Sequence, residues 1–428
     1  MQAGLVVPAV GYEEHVWQAE PDGMSGRARR AAASGPYRSC VPARLRDYAP
    51  TLPSPLAADL EEAAASLAEF DAVAASALGA SAAAGGRQGL LGEPRGAVTA
   101  PRAGAALSIP LGAILLRTES ASSSQIEQLT VGARQLALAE IDHSTSANAR
   151  AVIGNVKAME QALAWRGPIS QEAVLAIHRA LLGRQPGWER TAGSYRRQLV
   201  WIGHTSLLGP RGASHVAPQA NLIPAAMADL VEFMARSDLP AVLHAAVAHA
   251  QFETIHPFAD GNGRVGRALV HVMLRQAGLV KHIAAPLSAG LLTDTEGYFA
   301  ALGEFRRGDA LPIVERFADA SRFAAYGGRQ LMAALTAQLD HDRSRLAGLR
   351  PQAVAWRVLP WLAAHPVINA RLLVDELGLT DVAAQRAVAQ LTRAGILTER
   401  TGLRRHRIWQ HDGILGLLDD YAASLRRQ

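Results

Sequence analysis

The sequence predicts a mainly α-helical protein: a helical core that carries a short β-hairpin, followed by a small C-terminal module of helices and two strands. Two observations predict this fold class. Of the 428 residues, 49% are hydrophobic but only 5% are aromatic, and the alanine-rich stretches suit closely packed helices. Apolar residues also recur at helical spacing, whereas β-forming residues are concentrated in short segments. The chain is too long for one ordinary core, so two or three domains are expected.

The first 50 residues are rich in Pro, Gly, Arg and Ala and show little periodicity. This composition predicts largely irregular chain on the surface. A basic arm for nucleic acid, Gly26–Arg30, is the alternative interpretation. A helix is predicted from Leu60 to Leu78, and the Gly, Arg and Pro residues of Gly85–Gly104 predict a loop.

Helical spacing continues through the central part of the chain. A predicted helix over Ile114–Leu129 has a serine cluster at its middle, where small side chains would let another element pack closely. A long pattern from Pro312 to about Leu346 is interrupted at Gly327–Gly328. Three more helices are predicted between these two: Ala149–Trp165, Ile169–Leu182 and Ala225–Arg236.

The densest group of chemically active residues is His256–Arg267, which lies between two helical patterns and predicts a helix, a tight loop and a second helix. Gly261 and Gly263 let the backbone turn and leave amide N–H groups at a helix N-terminus, where phosphate is favoured. Arg264 and Arg267 lie three residues apart, so both could reach the outer phosphates of a nucleotide from one helical face.

Two more residues of this segment have the chemistry that a nucleotide site needs. Asp260 offers carboxylate oxygen, which Mg²⁺ prefers when it sits beside substrate phosphates. His256 is placed to take a proton from an attacking hydroxyl. A glycine loop alone is often only a turn, and a lone histidine is often structural. A plain turn needs neither two arginines on one face nor an acid and a base beside them, so the combination favours function.

The segment matches without exception the signature His-x-Phe-x-(Asp/Glu)-Gly-Asn-Gly-Arg-x-x-Arg and so resembles the Fic family of protein adenylyltransferases. The resemblance implies transfer of AMP from ATP to a hydroxyl side chain (Tyr, Thr or Ser) of a target protein. It implies that His256 is the base, that Asp260 is the Mg²⁺ ligand and that Phe258 anchors the loop in the core. The implied phosphate-binding residues are Gly261, Asn262, Gly263, Arg264 and Arg267.

A second resemblance concerns Ser123 and Glu127, which fit the Fic inhibitory pattern (Ser/Thr)-x-x-x-Glu-(Gly/Asn). This helix, near 114–129 and before the core, resembles the class with an N-terminal inhibitory helix. The resemblance implies that Glu127 pairs with Arg267 and occupies the guanidinium that would grip the γ-phosphate. Gln128 departs from the pattern, because Gly or Asn is usual there. An ordinary solvated glutamate is the alternative interpretation.

Other Fic-like features lie on either side of the motif. The β-forming residues near 198–220 predict a hairpin flap, which in Fic proteins holds an extended target segment by main-chain pairing. For Tyr195–Arg197, an exposed loop with charged residues is the alternative. After the motif, Leu291 and Tyr298 resemble residues that close the adenine pocket, although Tyr298 could equally belong to the core.

The C-terminal part has its own layout. Helices are predicted over Val358–Ala364, Ala370–Leu377 and Asp381–Ala394, followed by a strand pair within Ile396–Trp409. This order predicts a winged helix-turn-helix. Six arginines would form a basic surface for DNA phosphates: Arg386, Arg393, Arg400, Arg404, Arg405 and Arg407. A dimerisation or target-docking module of the same fold is an equally open alternative.

The predicted organisation is an N-terminal region over 1–105, a Fic core over 106–325, a helical linker over 326–350 and the winged module over 351–428. The net charge of +5 tolerates a nucleic-acid surface without requiring one. Cys40 is the single cysteine, which excludes an intrachain disulfide, and no apolar run reaches bilayer length. We therefore expect a cytoplasmic protein with no membrane partner, and we expect it to form a homodimer.

Two classes of function compete at this point. The first is a Mg²⁺-dependent protein adenylyltransferase that Glu127 holds inactive. The second is a DNA-binding transcriptional regulator whose Fic core senses nucleotide. The complete motif favours the enzyme, because a sensor would not need the base His256. Removal of AMP by the same site also stays open.

Overall fold

The computed structural model describes residues 5–18, 34–82, 108–203, 206–402 and 407–425, and these are mainly helical, as predicted. The predictions for Gly26–Arg30 and Gly85–Gly104, and the roles of Arg404 and Arg405, lie outside the described residues. Within the described ranges, no helix combines the length and hydrophobicity that crossing a bilayer requires.

The helices are α1 (Ser54–Ala82), α2 (Ser108–Ile126), α3 (Ala133–Glu140), α4 (Ala147–Ala164), α5 (Gln171–Leu182), α6 (Ile223–Met234), α7 (Ala241–Ile255), α8 (Asn262–Gln276), α9 (Leu287–Leu292), α10 (Thr295–Arg307), α11 (Leu311–Arg345), α12 (Ala355–Val358), α13 (Ala370–Leu377), α14 (Asp381–Arg393) and α15 (Asp412–Ser424). The strands are β1 (Gly11–Trp17), β2 (Gly35–Val41), β3 (Trp201–Ile202), β4 (His215–Val216), β5 (Val367–Asn369), β6 (Thr398–Glu399) and β7 (Ile408–Gln410).

The chain divides into two compact units, each built from three stretches of sequence. The first unit comprises 1–62, 161–277 and 295–318, and it contains the loop between α7 and α8. The second comprises 63–160, 278–294 and 319–428, and it contains α2 and the C-terminal module. The four-part domain division stays a prediction.

In the first unit, β1 and β2 pair as an antiparallel hairpin, with Gly11 opposite Val41 and Trp17 opposite Gly35. The prediction of largely irregular chain is wrong for these two strands. The hairpin is stabilised by a contact that is distant in sequence: the ring of Trp17 packs edge-to-face against Trp201, with 5.4 Å between centroids. A contact of this kind leaves no periodic signal in the sequence.

Also in the first unit, β3 and β4 form a two-residue antiparallel pair within the segment predicted to be a flap. Helix α7 is buried from Val242 to Ile255 and packs against α8. A Cβ at Gly266 would lie only 3.0 Å from His249 Nδ1 and from a ring carbon of Phe252, so a residue without a side chain lets the two helices approach closely.

In the second unit, the serine cluster of α2 is buried, as its small side chains predicted. The amide of Asn155 in α4 donates to the Ser120 carbonyl at 2.8 Å and to Ser124 Oγ at 3.2 Å. On the same helix, the buried Glu119 accepts hydrogen bonds from the Ser288 N–H at 2.9 Å and hydroxyl at 2.5 Å, at the start of α9. These contacts fix α2 to its neighbours within the unit.

Helix α11 is continuous from Leu311 to Arg345, so the predicted interruption at Gly327–Gly328 is wrong. A Cβ at Gly328 would lie 2.3 Å from Phe70 Cζ. Gly328 therefore allows the Phe70 ring to pack directly against the backbone of α11, and it does not break the helix.

The C-terminal module contains the predicted α13 and α14, joined by a turn, and a three-stranded antiparallel sheet in the order β5-β7-β6. Strand β5 and helix α15 were not predicted. The predicted helix over Val358–Ala364 is wrong as one element, because α12 gives way to a 3₁₀ segment at Pro360, whose nitrogen cannot donate. The winged helix-turn-helix assignment stays a prediction.

Candidate active site

The loop between α7 and α8 begins with a residue in an unusual conformation. Helix α7 ends at Ile255, and His256 has φ 49° and ψ 59°, in the left-handed region. Its N–H still donates to the Phe252 carbonyl at 2.9 Å. For a residue with a Cβ this conformation costs about 1 to 2 kcal/mol, so surrounding contacts must stabilise it.

Arg196 supplies much of that stabilisation. Its guanidinium donates to the carbonyls of His256 at 2.8 Å, Gln198 at 2.9 Å and Pro218 at 2.8 Å. Its own backbone N–H donates to the Pro257 carbonyl at 2.9 Å. Arg196 is buried, and burial lowers its pKa to about 10. The exposed-loop alternative is wrong for Arg196, although Arg197 beside it is exposed.

Phe258 is completely buried, as the motif implied, and it forms a stack with His178. The two rings are 3.7 Å apart between centroids and 8° from parallel. His178 Nδ1 accepts from the Gly193 N–H at 2.9 Å, so Nε2 carries the proton and donates to the Asp260 carbonyl at 3.2 Å. Burial lowers the pKa of His178 to about 4, which keeps the ring neutral and structural near pH 7.

The turn into α8 depends on Gly261 and Asn262. Gly261 has φ 81°, and a Cβ there would lie 2.6 Å from Leu181 Cδ2. The Asn262 side chain accepts from the Phe258 N–H at 2.8 Å and donates to the Phe258 carbonyl at 2.9 Å. The first bond of α8 runs from the Val265 N–H to the Gly261 carbonyl. The earlier amides therefore have no intrahelical acceptor, which is the arrangement that favours an anion.

The two motif arginines lie on α8, and both are buried. Arg264 Nη2 forms an ion pair with the Asp260 carboxylate at 3.1 Å, one helical turn away. The Asp260 side chain is 39% exposed. No cluster of three or more possible metal ligands occurs among the described residues. The single accessible carboxylate fits a Mg²⁺ ion that takes its other ligands from phosphate and water.

Sequence reasoning missed Glu253, which lies on α7 three residues before His256. Its Oε2 is 3.5 Å from His256 Nδ1, and its side chain is 8% exposed. Burial would raise the pKa of Glu253, but interactions with His256, His249 and Arg267 outweigh burial and lower the pKa to about 2. The available signal was the spacing of three residues, which on a helix would bring the two side chains to one face, although His256 itself lies just past the end of α7.

The residues predicted to contact adenine are both buried. Tyr298 is fully buried, and its hydroxyl pairs with His249 Nε2 at 2.6 Å, as expected of a core tyrosine. Leu291 lies in α9 and is 4% exposed. Their contribution to an adenine pocket stays a prediction.

Helix α2 ends at Ile126, so the predicted helical conformation through Leu129 is wrong. Ser123 is buried inside the helix, whereas Glu127 is half-buried in the turn that follows it. Gln128 has φ 64°, and the Leu129 N–H closes the turn on the Ser124 carbonyl at 3.0 Å. A left-handed residue at this place explains why Gly or Asn is the usual one in the pattern. The pairing of Glu127 with Arg267 stays a proposal.

Comparison with known proteins agrees with this geometry. Residues 168–274, which include the loop between α7 and α8 and most of α8, match the model of the Fic/DOC family. Residues 168–274 are therefore similar to a Fic domain. Over 186 residues it is 28% identical to "Protein adenylyltransferase Fic" of Nematostella vectensis, a match that covers 41% of this chain and 38% of that protein. Over 149 residues it is 30% identical to "Protein adenylyltransferase fic-1" of Caenorhabditis briggsae, covering 34% and 26%.

The chain thus spans well under half the length of these curated relatives. A solved structure of a Fic family protein from Desulfovibrio desulfuricans G20 aligns over 70% of this chain and 87% of that chain. The TM-score is 0.43 and the sequence identity is 23%. Within the segment similar to a Fic domain, the loop between α7 and α8 combines a constrained histidine, an accessible carboxylate and a helix N-terminus.

Proposed function

We propose that this protein transfers AMP from ATP to a hydroxyl side chain of a target protein. The observation that carries the proposal is the left-handed His256, whose backbone is fixed by Arg196 at the start of the loop that leads into α8. A base fixed beside a phosphate-binding helix end suits proton removal from an attacking hydroxyl. The relatives named protein adenylyltransferase support the same reaction.

In the proposed reaction His256 accepts the proton of the target hydroxyl as its oxygen attacks the α-phosphorus of ATP. The bond between the α-phosphorus and its bridging oxygen breaks, and pyrophosphate leaves. Amides of Gly261, Asn262 and Gly263 would bind the phosphates, with Arg264 and Arg267 adding positive charge. Asp260 would hold Mg²⁺, which when bound neutralises phosphate charge. Leu291 and Tyr298 are the candidates for the adenine end.

The proposed regulation is inhibition by Glu127, which would compete with the γ-phosphate for Arg267. The half-buried position of Glu127 at the end of α2 supports this role, because partial burial strengthens an ion pair compared with full exposure. Ser123, buried one turn earlier, belongs to the serine cluster that lets α2 pack closely.

The test of the function is transfer of label from α-labelled ATP to protein. His256→Ala should abolish transfer to added lysate proteins and to the enzyme itself, while ATP binding measured by calorimetry changes little, because the base does not contact the phosphates. His341→Ala, which alters an exposed histidine on α11, is the matched control. Undiminished transfer by His256→Ala would contradict the proposal.

Two alternative functions, removal of AMP and DNA binding, have separate tests. Release of AMP from a modified target by wild type, but not by His256→Ala, would indicate removal of AMP by the same site. For DNA binding by the C-terminal module, exposed Arg386 and Arg393 on α14 are the best candidates for phosphate contacts. Arg400 and Arg407 already form ion pairs, with Asp412 and Glu399 respectively. DNA binding and the homodimer both stay predictions.

A further inference from the structure

The buried acid beside the proposed base has no role in the reaction described above. Glu253 Oε2 and His256 Nδ1 are 3.5 Å apart, and the side chains are 8% and 18% exposed respectively. A carboxylate this buried is stable only with charged or hydrogen-bonding neighbours. Four elements supply them: His249 from α7, Arg267 from α8 and Arg306 from α10 interact with Glu253, and His215 of β4 interacts with both Glu253 and His256.

The geometry favours one tautomer of the histidine. An ionised carboxylate can only accept a hydrogen bond, so an imidazole nitrogen that faces it is stabilised when it carries a proton. Among the described residues Nδ1 has no hydrogen-bond partner at normal distance, and Glu253 is the acid that faces it. Arg196 contacts the backbone carbonyl and not the ring. A proton on Nδ1 leaves the lone pair on Nε2 free to act as the base.

We infer that Glu253 is a positioning residue that keeps the proton of His256 on Nδ1 and stabilises the imidazolium formed when Nε2 accepts the target's hydroxyl proton. The inference rests on the proposed function, since it presumes that His256 is the base. The proton moves from the hydroxyl to Nε2, Nδ1 keeps its own, and Glu253 neither gains nor loses one. Catalytic hydrogen bonds that are long without substrate commonly shorten in the complex, which suits the 3.5 Å separation.

The charges around the pair agree with this role. Glu253 is ionised near pH 7, because its neighbours lower its pKa to about 2 in spite of burial. Burial lowers the pKa of His249 to about 4 and also lowers that of His215, so both stay neutral near pH 7. The positive charge that develops on His256 during the reaction therefore meets one ionised carboxylate and no newly charged histidine.

The kinetic experiment compares Glu253→Gln, which removes the charge and keeps the shape, with Glu253→Asp, which keeps the charge. For Glu253→Gln we expect kcat to fall about ten- to a hundredfold, within the range of acid–base contributions, and KM for ATP to change less than about twofold. The acid limb of the pH profile should move to lower pH by about one unit, because losing the carboxylate destabilises the imidazolium. Glu253→Asp should recover part of kcat.

The control is Glu232→Gln, at an exposed glutamate of α6 in the same unit, which should change neither kcat nor the pH profile. A Glu253→Gln enzyme with wild-type kcat and pH profile would overturn the inference. So would a variant that loses thermal stability and ATP affinity with an unmoved pH profile, because that pattern describes a purely structural residue.

A spectroscopic readout separates this inference from the proposed function. Nitrogen-15 NMR of histidine-labelled protein, with His256 assigned by difference from His256→Gln, should report a proton on Nδ1 in wild type. In Glu253→Gln the titration of this resonance should shift to lower pH. If that shift occurs in a protein that transfers no AMP, the positioning role stands and the proposed function fails. If AMP is transferred but the resonance is unchanged, the positioning role fails alone.

Discussion

Three helices of the described residues are followed by a non-glycine residue in the left-handed conformation: α3 by Asp142, α7 by His256 and α2 by Gln128. The last two residues are held in different ways. His256, after α7, has φ 49°, and Gln128, after α2, has φ 64°. The His256 carbonyl accepts from buried Arg196, and its ring faces Glu253. Gln128 is exposed, and its recorded bonds are those of its own turn, to Gln125 and from Thr130.

The difference teaches what each conformation requires. At His256 the side chain is the proposed base, so tertiary contacts must offset the backbone strain that a histidine has there. At Gln128 the exposed side chain is assigned no role in the reaction, and glycine would adopt the same backbone conformation with less strain. We therefore expect substitutions around His256 to have large effects and a substitution at Gln128 to have a small, favourable one.

The largest effect is expected from Arg196→Ala, which removes three hydrogen bonds from a charged donor to buried or half-buried carbonyls. The free energy of unfolding should fall by about 4 kcal/mol, and AMP transfer should fall at least about a hundredfold because His256 is no longer held. Urea denaturation and kcat measure the two effects. Arg197→Ala, at the exposed neighbour, should stay within about 0.5 kcal/mol of wild type.

An Arg196→Ala variant with wild-type stability and activity would contradict this contrast between His256 and Gln128, since the strained histidine would then need no tertiary support. If Arg196→Ala proves insoluble, Arg196→Lys serves instead. It retains the charge but cannot reach all three carbonyls, so an intermediate loss is expected.

A smaller effect is expected from Glu127→Gly, which tests the proposed inhibition. If Glu127 inhibits as proposed, its loss should raise automodification about ten- to a hundredfold, equivalent to about 1.4 to 3 kcal/mol. Arg267→Ala should not be rescued by the same change, because the proposed phosphate contact is then missing. With ATP and Mg²⁺ saturating, a Glu127→Gly enzyme no more active than wild type would show that inhibition is absent or lies elsewhere.

The smallest effect is expected from Gln128→Gly, which relieves the left-handed strain at the end of α2. The unfolding free energy should rise by about 1 kcal/mol, and basal transfer should fall up to about fivefold as the proposed inhibitory turn becomes more stable. Gln125→Gly, in the last turn of the same helix, is a control of opposite sign, because glycine inside a helix costs about 1 kcal/mol. A destabilised Gln128→Gly variant would mean that the glutamine side chain contributes to the turn.

Much of the site could be predicted from short-range pattern. The helix, turn and helix around His256–Arg267 follow from apolar spacing and from the glycines, since Gly261 occupies a conformation that favours a residue without Cβ. The buried serines of α2 follow in the same way from residue size. These properties depend on residues a few positions apart, and the sequence alone therefore determines them.

Only the tertiary structure decided which distant groups meet. Arg196 donates to the carbonyl of a residue 60 positions away, and the β1–β2 hairpin packs on Trp201. The ring of Phe70 leaves no room for a side chain at Gly328. A buried guanidinium needs hydrogen-bond acceptors, but the sequence does not show which carbonyls the packing will place beside it. Local preference sets the turn at Gly261 between α7 and α8, whereas the partners that hold His256 in place are set by how the helices pack.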